Sequence, residues 1–424
     1  MLLYNILVYL IQPLIWIRLL WRSRHIPAYR HHLSERYGFY KQKINAGGII
    51  LHSVSIGETL AAIPLIHSLQ KLHPYIPITV TSMTPTGIEQ TKLAFGNKVF
   101  YGYLPYDLPG AINRFINHIN PILVITIETE LWPNLIKSLY RKGIPFIIAN
   151  ARLSLRSAKN YQKIKNFMAH IMQHITLIAA QYEDDGARFI SLGLKTNQLA
   201  IIGNLKFEIS VSTHITKQAK KLRKLWNNQR PIWIAASTHY GEEKILLKTH
   251  HNLLQSFPNL LMILAPRHPE RFSIVQQMIK KSGFNYILQS SGNIPSSTTQ
   301  IVINDTMGKL MLLYGIVDVA FIGGSLIKHG GHNPLEAAAH GIPIIMGPYT
   351  FNFQQICIKL KQEQGLITIT DSISLTLEIF KLLNNKHHRL FHGNRANKFL
   401  YKNQGALKRL LCLIEPYLNL NKNQ

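Results

Sequence analysis

A chain of 424 residues exceeds the usual size of one hydrophobic core, so two domains are the default expectation. A hydrophobic share of 46% with no long low-complexity tract excludes a largely disordered chain. Lysine and arginine number 47 against 20 acidic residues, a formal net charge of +27, which favours polyanionic partners such as phosphate-rich membranes, nucleic acid or phosphorylated substrates. A general richness in Ile, Lys and Asn accounts for part of that excess. Cys357 and Cys412 are the two cysteines, with no CxxC motif or Cys/His cluster at metal spacing, so a reduced compartment without structural zinc is the simple expectation.

Residues Leu2 to Ile17 are almost all apolar, interrupted by Asn5, Gln12 and Pro13. The stretch is short of the ~20 residues that cross a bilayer comfortably. A cleaved signal peptide does not fit, because no basic n-region precedes it and no small-residue cleavage site follows. Arg18, Arg22, Arg24, His25, Arg30, His31 and His32 come next, a basic cluster that favours a cytoplasmic location and suits anionic headgroups. Tyr4, Tyr9, Trp16 and Trp21 suit the membrane interface. Residues 1–22 are therefore expected to form a membrane anchor segment, with a buried helix of the first domain as the competing reading.

From Gly48 onward, short apolar runs alternate with longer amphipathic stretches. The runs Ile49–Val54, Ile78–Thr81, Leu123–Ile127 and Phe146–Ala149 read as strands; Thr59–Gln70 and Trp132–Tyr140 read as helices. After a Lys-rich helical stretch near Lys217–Asn228 the rhythm restarts with Ile232–Ala236, Leu260–Ala265, Val319–Ile322 and Ile342–Met346. This alternation predicts an α/β fold with parallel, doubly wound sheets, in which ligands bind beyond the carboxyl ends of the strands. The expected domains are 23–210 and 211–424. About Leu400–Leu418 reads as one amphipathic helix, which could equally pack back on the first domain.

Several motifs fall at those strand ends. In the segment His52-Ser53-Val54-Ser55-Ile56-Gly57-Glu58, Glu58 lies in a first helical turn, where a carboxylate can deprotonate a sugar hydroxyl. Acidic residues are also common in first turns for capping alone. Glu128-Thr129-Glu130-Leu131-Trp132-Pro133-Asn134 places two carboxylates after a strand, and solvated acids are the competing explanation. Lys206, in Gly203-Asn204-Leu205-Lys206, can neutralise a leaving phosphate or a sugar acid, or can simply be one more solvated lysine. In the second half, Ala235-Ala236-Ser237-Thr238-His239 offers small and hydroxyl residues to a phosphate, and Arg267 offers a planar fork. Gly323-Gly324-Ser325 and Gly330-Gly331-His332-Asn333-Pro334-Leu335-Glu336 are the most informative. Paired glycines let backbone approach phosphate, Asn333 is placed to cap a helix starting at Pro334, and Glu336 is placed to accept from ribose hydroxyls. Neither a GxGxxG fingerprint nor a Walker A loop is present.

Taken together, the blocks HSVSIGE, LPYDLP, ETELWPN, IANARLS, APRHPER, GGHNPLEAAAHGIP and MGPYTFNF resemble the Kdo (3-deoxy-D-manno-octulosonic acid) transferases of lipopolysaccharide biosynthesis, glycosyltransferase family 30. The resemblance covers nearly the whole chain and is greatest to the bifunctional enzymes that add two Kdo units. It implies a GT-B fold, two Rossmann-like domains facing a central cleft, the first for the acceptor and the second for the donor. It implies Glu58 as catalytic base, with Glu128 and Lys206 stabilising the transition state. It implies that Pro266, Arg267, Met307, Gly308, Lys309, Asn333, Pro334, Leu335 and Glu336 bind the CMP of the donor. Lys309 stands where the family usually has Glu, a difference that is harmless if the contact uses backbone atoms.

The expected reaction is therefore an inverting transfer of Kdo from CMP-Kdo to lipid IVA, a lipid A precursor, at the cytoplasmic side of the inner membrane. No cofactor and no metal are expected, because basic groups can do a metal's electrostatic work. Anionic inner-membrane lipids are expected partners, and nucleic acid is not: the charge is spread along the chain and no stacking-aromatic RNA motif is seen. Competing readings are a transferase using UDP-sugars, a sugar-nucleotide epimerase of the same architecture, and a non-catalytic protein that binds nucleic acid or anionic lipid.

Overall fold

The computed structural model describes residues 1–42 and 46–419. The chain divides into two compact bodies, Met1–Glu208 with Gln404–Gln424, and Ile209–Asn403.

The first body is built on seven parallel strands: β1 (Ile49–Ser53), β2 (Ile78–Ser82), β3 (Phe100–Tyr103), β4 (Leu123–Ile127), β5 (Phe146–Ala151), β6 (Leu177–Ala180) and β7 (Leu199–Ile201). Their order is β3-β2-β1-β4-β5-β6-β7. Every residue of β1, β2, β4, β5 and β6 is buried, as expected when helices cover both faces of a parallel sheet. Between β1 and β4 the winding reverses direction. In such sheets the loops leaving the two strands diverge at a reversal, which makes their carboxyl ends the expected ligand edge.

The second body repeats the plan with β8 (Ile232–Thr238), β9 (Leu261–Pro266), β10 (Tyr286–Leu288), β11 (Ile301–Ile303), β12 (Val319–Ile322), β13 (Ile344–Met346) and β14 (Leu366–Thr368). The order is β10-β11-β9-β8-β12-β13-β14, so the reversal lies between β8 and β12. Each sheet carries a register shift beside a residue in the left-handed region, Asn150 (φ 57°) in β5 and Ser237 (φ 58°) in β8. Such bulges re-aim the chain at the ligand edge.

The stretch expected as one helix over Leu400–Leu418 is two, Lys386–Lys402 and Ala406–Asn419. The break falls at Gly405, whose φ of +98° no helix accommodates. The second helix belongs to the first body, so the second ends at Asn403 rather than at 424. The cause is its apolar stripe: Ala406, Leu410, Ile414 and Leu418 recur every fourth residue and bury against Ile49, Leu51, Leu65 and Leu69. Burial of its leucines and isoleucine contributes about 2 kcal/mol each. His73 Nε2, itself buried, lies 3.0 Å from Glu415 Oε2 and pins the same helix.

At the N-terminus, helices Leu2–Leu10 and Gln12–His25 follow one another, and together Leu2–Arg24 is long and apolar enough to cross a membrane by length and composition. One side docks on the first body. Tyr4 donates to Asp107 Oδ2 (2.8 Å), Tyr37 donates to Gln12 Oε1 (3.2 Å), Trp16 stacks on Tyr37, and Leu19 and Ser23 are buried. The other side leaves Leu3, Leu10, Leu14, Ile17 and Trp21 exposed.

Candidate active site

Glu58 sits in the first turn of helix Ile56–Leu72, directly after β1. Ser55 begins that helix: its hydroxyl oxygen accepts from the Glu58 N–H. The Glu58 carboxylate in turn accepts from the Val54 N–H at Oε2 (2.7 Å) and from the Ser55 hydroxyl at Oε1 (2.7 Å). Burial pushes its proton affinity up, the two hydrogen bonds and Lys206 pull it back, and the charge of Glu128 adds to the rise. A carboxyl held in one orientation and made more basic is suited to taking a proton from a hydroxyl.

Glu128 follows β4 across the winding reversal, with φ at 62°. A non-glycine residue held there costs about 1 kcal/mol or more, and its N–H donates to the Ala149 carbonyl (2.9 Å), which fixes the turn. Lys206 Nζ lies 3.1 Å from Glu128 Oε1. Lys206 is set in place by a chain of buried amides. Asn150 Oδ1 accepts from the Leu205 N–H (3.0 Å), Gln181 Nε2 donates to the Asn150 carbonyl (2.9 Å), Asn204 Nδ2 donates to Gln181 Oε1 (2.9 Å), and Asn204 Oδ1 accepts from the Lys206 N–H (2.9 Å). Of these positioning residues Gln181 lies in no motif; its only sequence signal is a polar residue directly after the apolar run of β6.

Glu130 is the third carboxylate of the group. Burial, then the charges of Glu58 and Glu128, push it up to about 7. Its folded-state value thus exceeds the ordinary 4.5, so the folded protein holds a proton that the unfolded chain releases. Stability from this group is present below about 4.5 and is lost as pH rises toward 7. Glu130→Gln, which cannot ionise, is therefore expected to raise the unfolding midpoint in denaturant at pH 8 and leave it nearly unchanged at pH 4. Equal shifts at both pH values would contradict this. His52, the first residue of the motif that ends in Glu58, is a core residue: it is fully buried, held at about 3 by burial, and 2.9 Å from Thr81 Oγ1.

The Asp107 of LPYDLP caps the helix of ETELWPN. Its carboxylate accepts from the N–H groups of Asn134 (2.8 Å) and Leu135 (2.9 Å), and its carbonyl accepts from Asn134 Nδ2 (2.6 Å). These two blocks therefore form a structural unit that fixes where Glu128 and Glu130 begin.

In the second body Arg267 and Asn333 both interact with Glu336 past the ends of β9 and β12, while Met307–Lys309 follow β11; one expectation needs substantial correction. The backbone N–H groups of the Ser237–His239 segment and of Gly323-Gly324-Ser325 were expected to face phosphate. Instead the carboxylate of Glu242, fully buried, takes three of them, His239 (3.0 Å), Gly324 (2.8 Å) and Ser325 (3.1 Å), together with the Leu326 N–H (3.0 Å). The glycines serve tight packing. A Cβ on Gly323 would lie 2.4 Å from the Ser237 carbonyl oxygen, and one on Gly347 would lie 2.2 Å from that of Ser325. Glu243, also fully buried, pairs with Arg271 at 2.5 Å. Sequence reasoning missed Glu242 and Glu243; the signal was two acids opening a helix (Glu242–Leu254) directly after a strand end.

Pro266 ends β9, and the Arg267 N–H donates to the Thr238 carbonyl (3.1 Å). Glu336 is pushed up by burial and pulled down by Arg267 and Asn333. The helix expected from Pro334 starts at Leu335, and Asn333 Oδ1 accepts from the Leu335 N–H (3.1 Å). Met307, Gly308 and Lys309 form an exposed turn, with Gly308 at φ +77°.

With this geometry in place, comparison with known proteins decides the family. A transferase from Haemophilus influenzae, "3-deoxy-D-manno-octulosonic acid transferase", is 48% identical over 99% of both chains. This chain belongs to the Kdo transferases. The family model "3-Deoxy-D-manno-octulosonic-acid transferase (kdotransferase)" matches residues 31–209, the part that carries Glu58, Glu128, Glu130 and Lys206. Among solved structures, UDP-GlcNAc 2-epimerase from Neisseria meningitidis aligns with a TM-score of 0.58 over 86% of this chain and 98% of its own, at 12% identity. MurG from Acinetobacter baumannii aligns at 0.53 over 88% and 100%, also at 12% identity. These likenesses show the fold alone, and it is of the GT-B type. The Kdo transferase is a glycosyltransferase, and its place is in lipopolysaccharide biosynthesis.

Proposed function

We propose that this Kdo transferase moves Kdo from CMP-Kdo to lipid IVA with inversion at the anomeric carbon, and does so twice in succession. The observation that carries the reading is the oriented, burial-raised carboxylate of Glu58 at the sheet reversal, in one electrostatic group with the Glu128–Lys206 pair. Glu58 takes the proton of the acceptor hydroxyl as its oxygen attacks the anomeric carbon of Kdo. The new glycosidic C–O bond forms as the bond from that carbon to the phosphate oxygen breaks, and CMP leaves with the electron pair. Lys206 and Arg267 offset the negative charge of the sugar acid and the departing phosphate. Pro266, Arg267, the 307–309 turn and Asn333–Glu336 hold the nucleotide, and the turn at Gly308, with its φ of +77°, is compatible with Lys309 contacting through its backbone. No metal is required by this scheme.

The test is incubation of the detergent-solubilised protein with CMP-Kdo and lipid IVA, with product masses read by mass spectrometry. A gain of two Kdo units is expected. A folded protein that transfers another nucleotide sugar but not Kdo would overturn the reading.

The exposed side of the N-terminal helices supports a membrane location on the cytoplasmic side, facing anionic lipid. Because Tyr4, Gln12, Trp16 and Ser23 tie those helices to the first body from end to end, the segment is read as lying in the interface rather than crossing. Replacing Leu10, Leu14 and Ile17 together by Glu is expected to lower binding to anionic vesicles by at least about tenfold in flotation assays, since each apolar side chain withdrawn from lipid is worth about 1.5 kcal/mol or more. Unchanged flotation would refute the interfacial role.

A further inference from the structure

Three imidazoles meet beside the Glu242-clamped loop of the second body. One nitrogen each from His239, His329 and His332 lies within 4.8 Å of the others. His239 follows β8 and is buried, and the other two sit on the loop after β12. The rings of His239 and His329 are 3.8 Å apart between centroids, and those of His239 and His332 are parallel to within 6° at 5.0 Å. His239 Nε2 and His332 Nε2 are 2.7 Å apart, a spacing at which two lone pairs repel unless a proton or a cation lies between them.

The backbone beneath these rings is fixed. Glu242 accepts from the N–H groups of His239 and Gly324, Gly331 N–H donates to the Gly324 carbonyl (2.8 Å), and His332 N–H donates to the Gly323 carbonyl (3.2 Å). Only glycine fits at position 324: its φ is +68°, and a Cβ would sit 3.1 Å from His332 Cδ2 and 3.5 Å from His239 Cδ2.

We propose that His239, His329 and His332 bind one divalent transition-metal cation of the zinc class, leaving a fourth position for water or an oxygen of an anionic ligand. Tetrahedral ligation at about 2.0–2.1 Å places ligand nitrogens about 3.3 Å apart. Side-chain adjustments of up to about 1.5 Å bring the trio to that geometry, and the exposed His329 has the room to make most of them. Arg267 and Arg271 bear on the same rings with positive charge, which works against any cation. That penalty selects a metal with strong imidazole affinity and disfavours magnesium and calcium, which seek oxygen ligands. The trio lies beside Arg267 and Asn333, which are proposed to hold the nucleotide, and its test reads metal binding alone.

Two other histidine pairs complicate the measurement. His170 with His174, and His388 with His392, have ring centroids 4.6 Å apart on single helices and can each hold a metal weakly. The experiment therefore uses the full chain carrying His174→Gln and His392→Gln, titrated with cobalt(II) as a spectroscopic probe and then with zinc. One equivalent of cobalt with the intense visible absorption of tetrahedral coordination, displaced by zinc, is expected. Adding His329→Ala is expected to abolish that absorption and to weaken zinc binding by at least about tenfold, with circular dichroism unchanged. Absence of the tetrahedral band at stoichiometric cobalt overturns the proposal, as does a band that survives His329→Ala.

Discussion

Replacing Glu58 by Ala is expected to lower Kdo transfer by about 10²- to 10⁴-fold, the usual contribution of a positioned general base. The residues proposed to hold the nucleotide belong to the other body, so calorimetric CMP affinity should stay within about twofold of the parent. Some stability is lost as well, because the carboxylate accepts the Val54 N–H and the Ser55 hydroxyl at the helix start. That loss is about 1 kcal/mol, too little to unfold the protein. Glu58→Gln separates the two effects. It keeps an acceptor for the Val54 N–H and loses the basicity, so it should match the alanine variant in rate and the parent in stability. A base works only when deprotonated, and burial raises Glu58 above its ordinary 4.5. In the parent, kcat/KM should therefore fall with decreasing pH through a value above 4.5, and the residual activity of Glu58→Gln should lack that limb. A loss of only a few fold in either variant would remove Glu58 from the role of base.

The central strands were legible because burial on both faces makes them continuous apolar runs. Leu123–Ile127 and Val319–Ile322 coincide with β4 and β12 to the residue. The sheet edges were not, because β7, β10, β11 and β14 are three residues each and too short to show a period. The candidate residues Glu58, Glu128 and Lys206, which the fold brings into one electrostatic group, were visible because each breaks an apolar pattern just after a strand. What holds them was less visible. Gln181 acts through one amide in a chain of three, and nothing in its neighbours announces it. Glycine-rich loops misled in a specific way. Gly323-Gly324 has the composition of a phosphate cradle, yet its amides are satisfied from inside, Gly323 by the Ala236 carbonyl and Gly324 by Glu242, a residue 82 positions earlier. Composition can identify a backbone that permits close approach, but which group approaches it is a tertiary fact.

Glu242 consequently carries the largest predicted loss of stability. Glu242→Ala leaves four buried N–H groups facing a cavity, and each unsatisfied buried donor costs about 1–3 kcal/mol. Water entering the cavity recovers part, so about 4 kcal/mol is the expected net loss, a large fraction of the ~5–15 kcal/mol typical of a folded protein. Glu242→Gln should fall between, since its amide presents one oxygen to the N–H groups and turns its NH₂ against the remainder. Denaturant unfolding should show the midpoint order parent, Gln, Ala. The same loop leads through Gly331 to Asn333 and Glu336, so CMP affinity should fall in step with stability, whereas in Glu58→Ala it should stay within the twofold range given above. That contrast distinguishes a frame residue from a reacting one. A Glu242→Ala variant with an unchanged midpoint would mean that the loop finds other acceptors, and that this carboxylate is not what holds the two strand ends together.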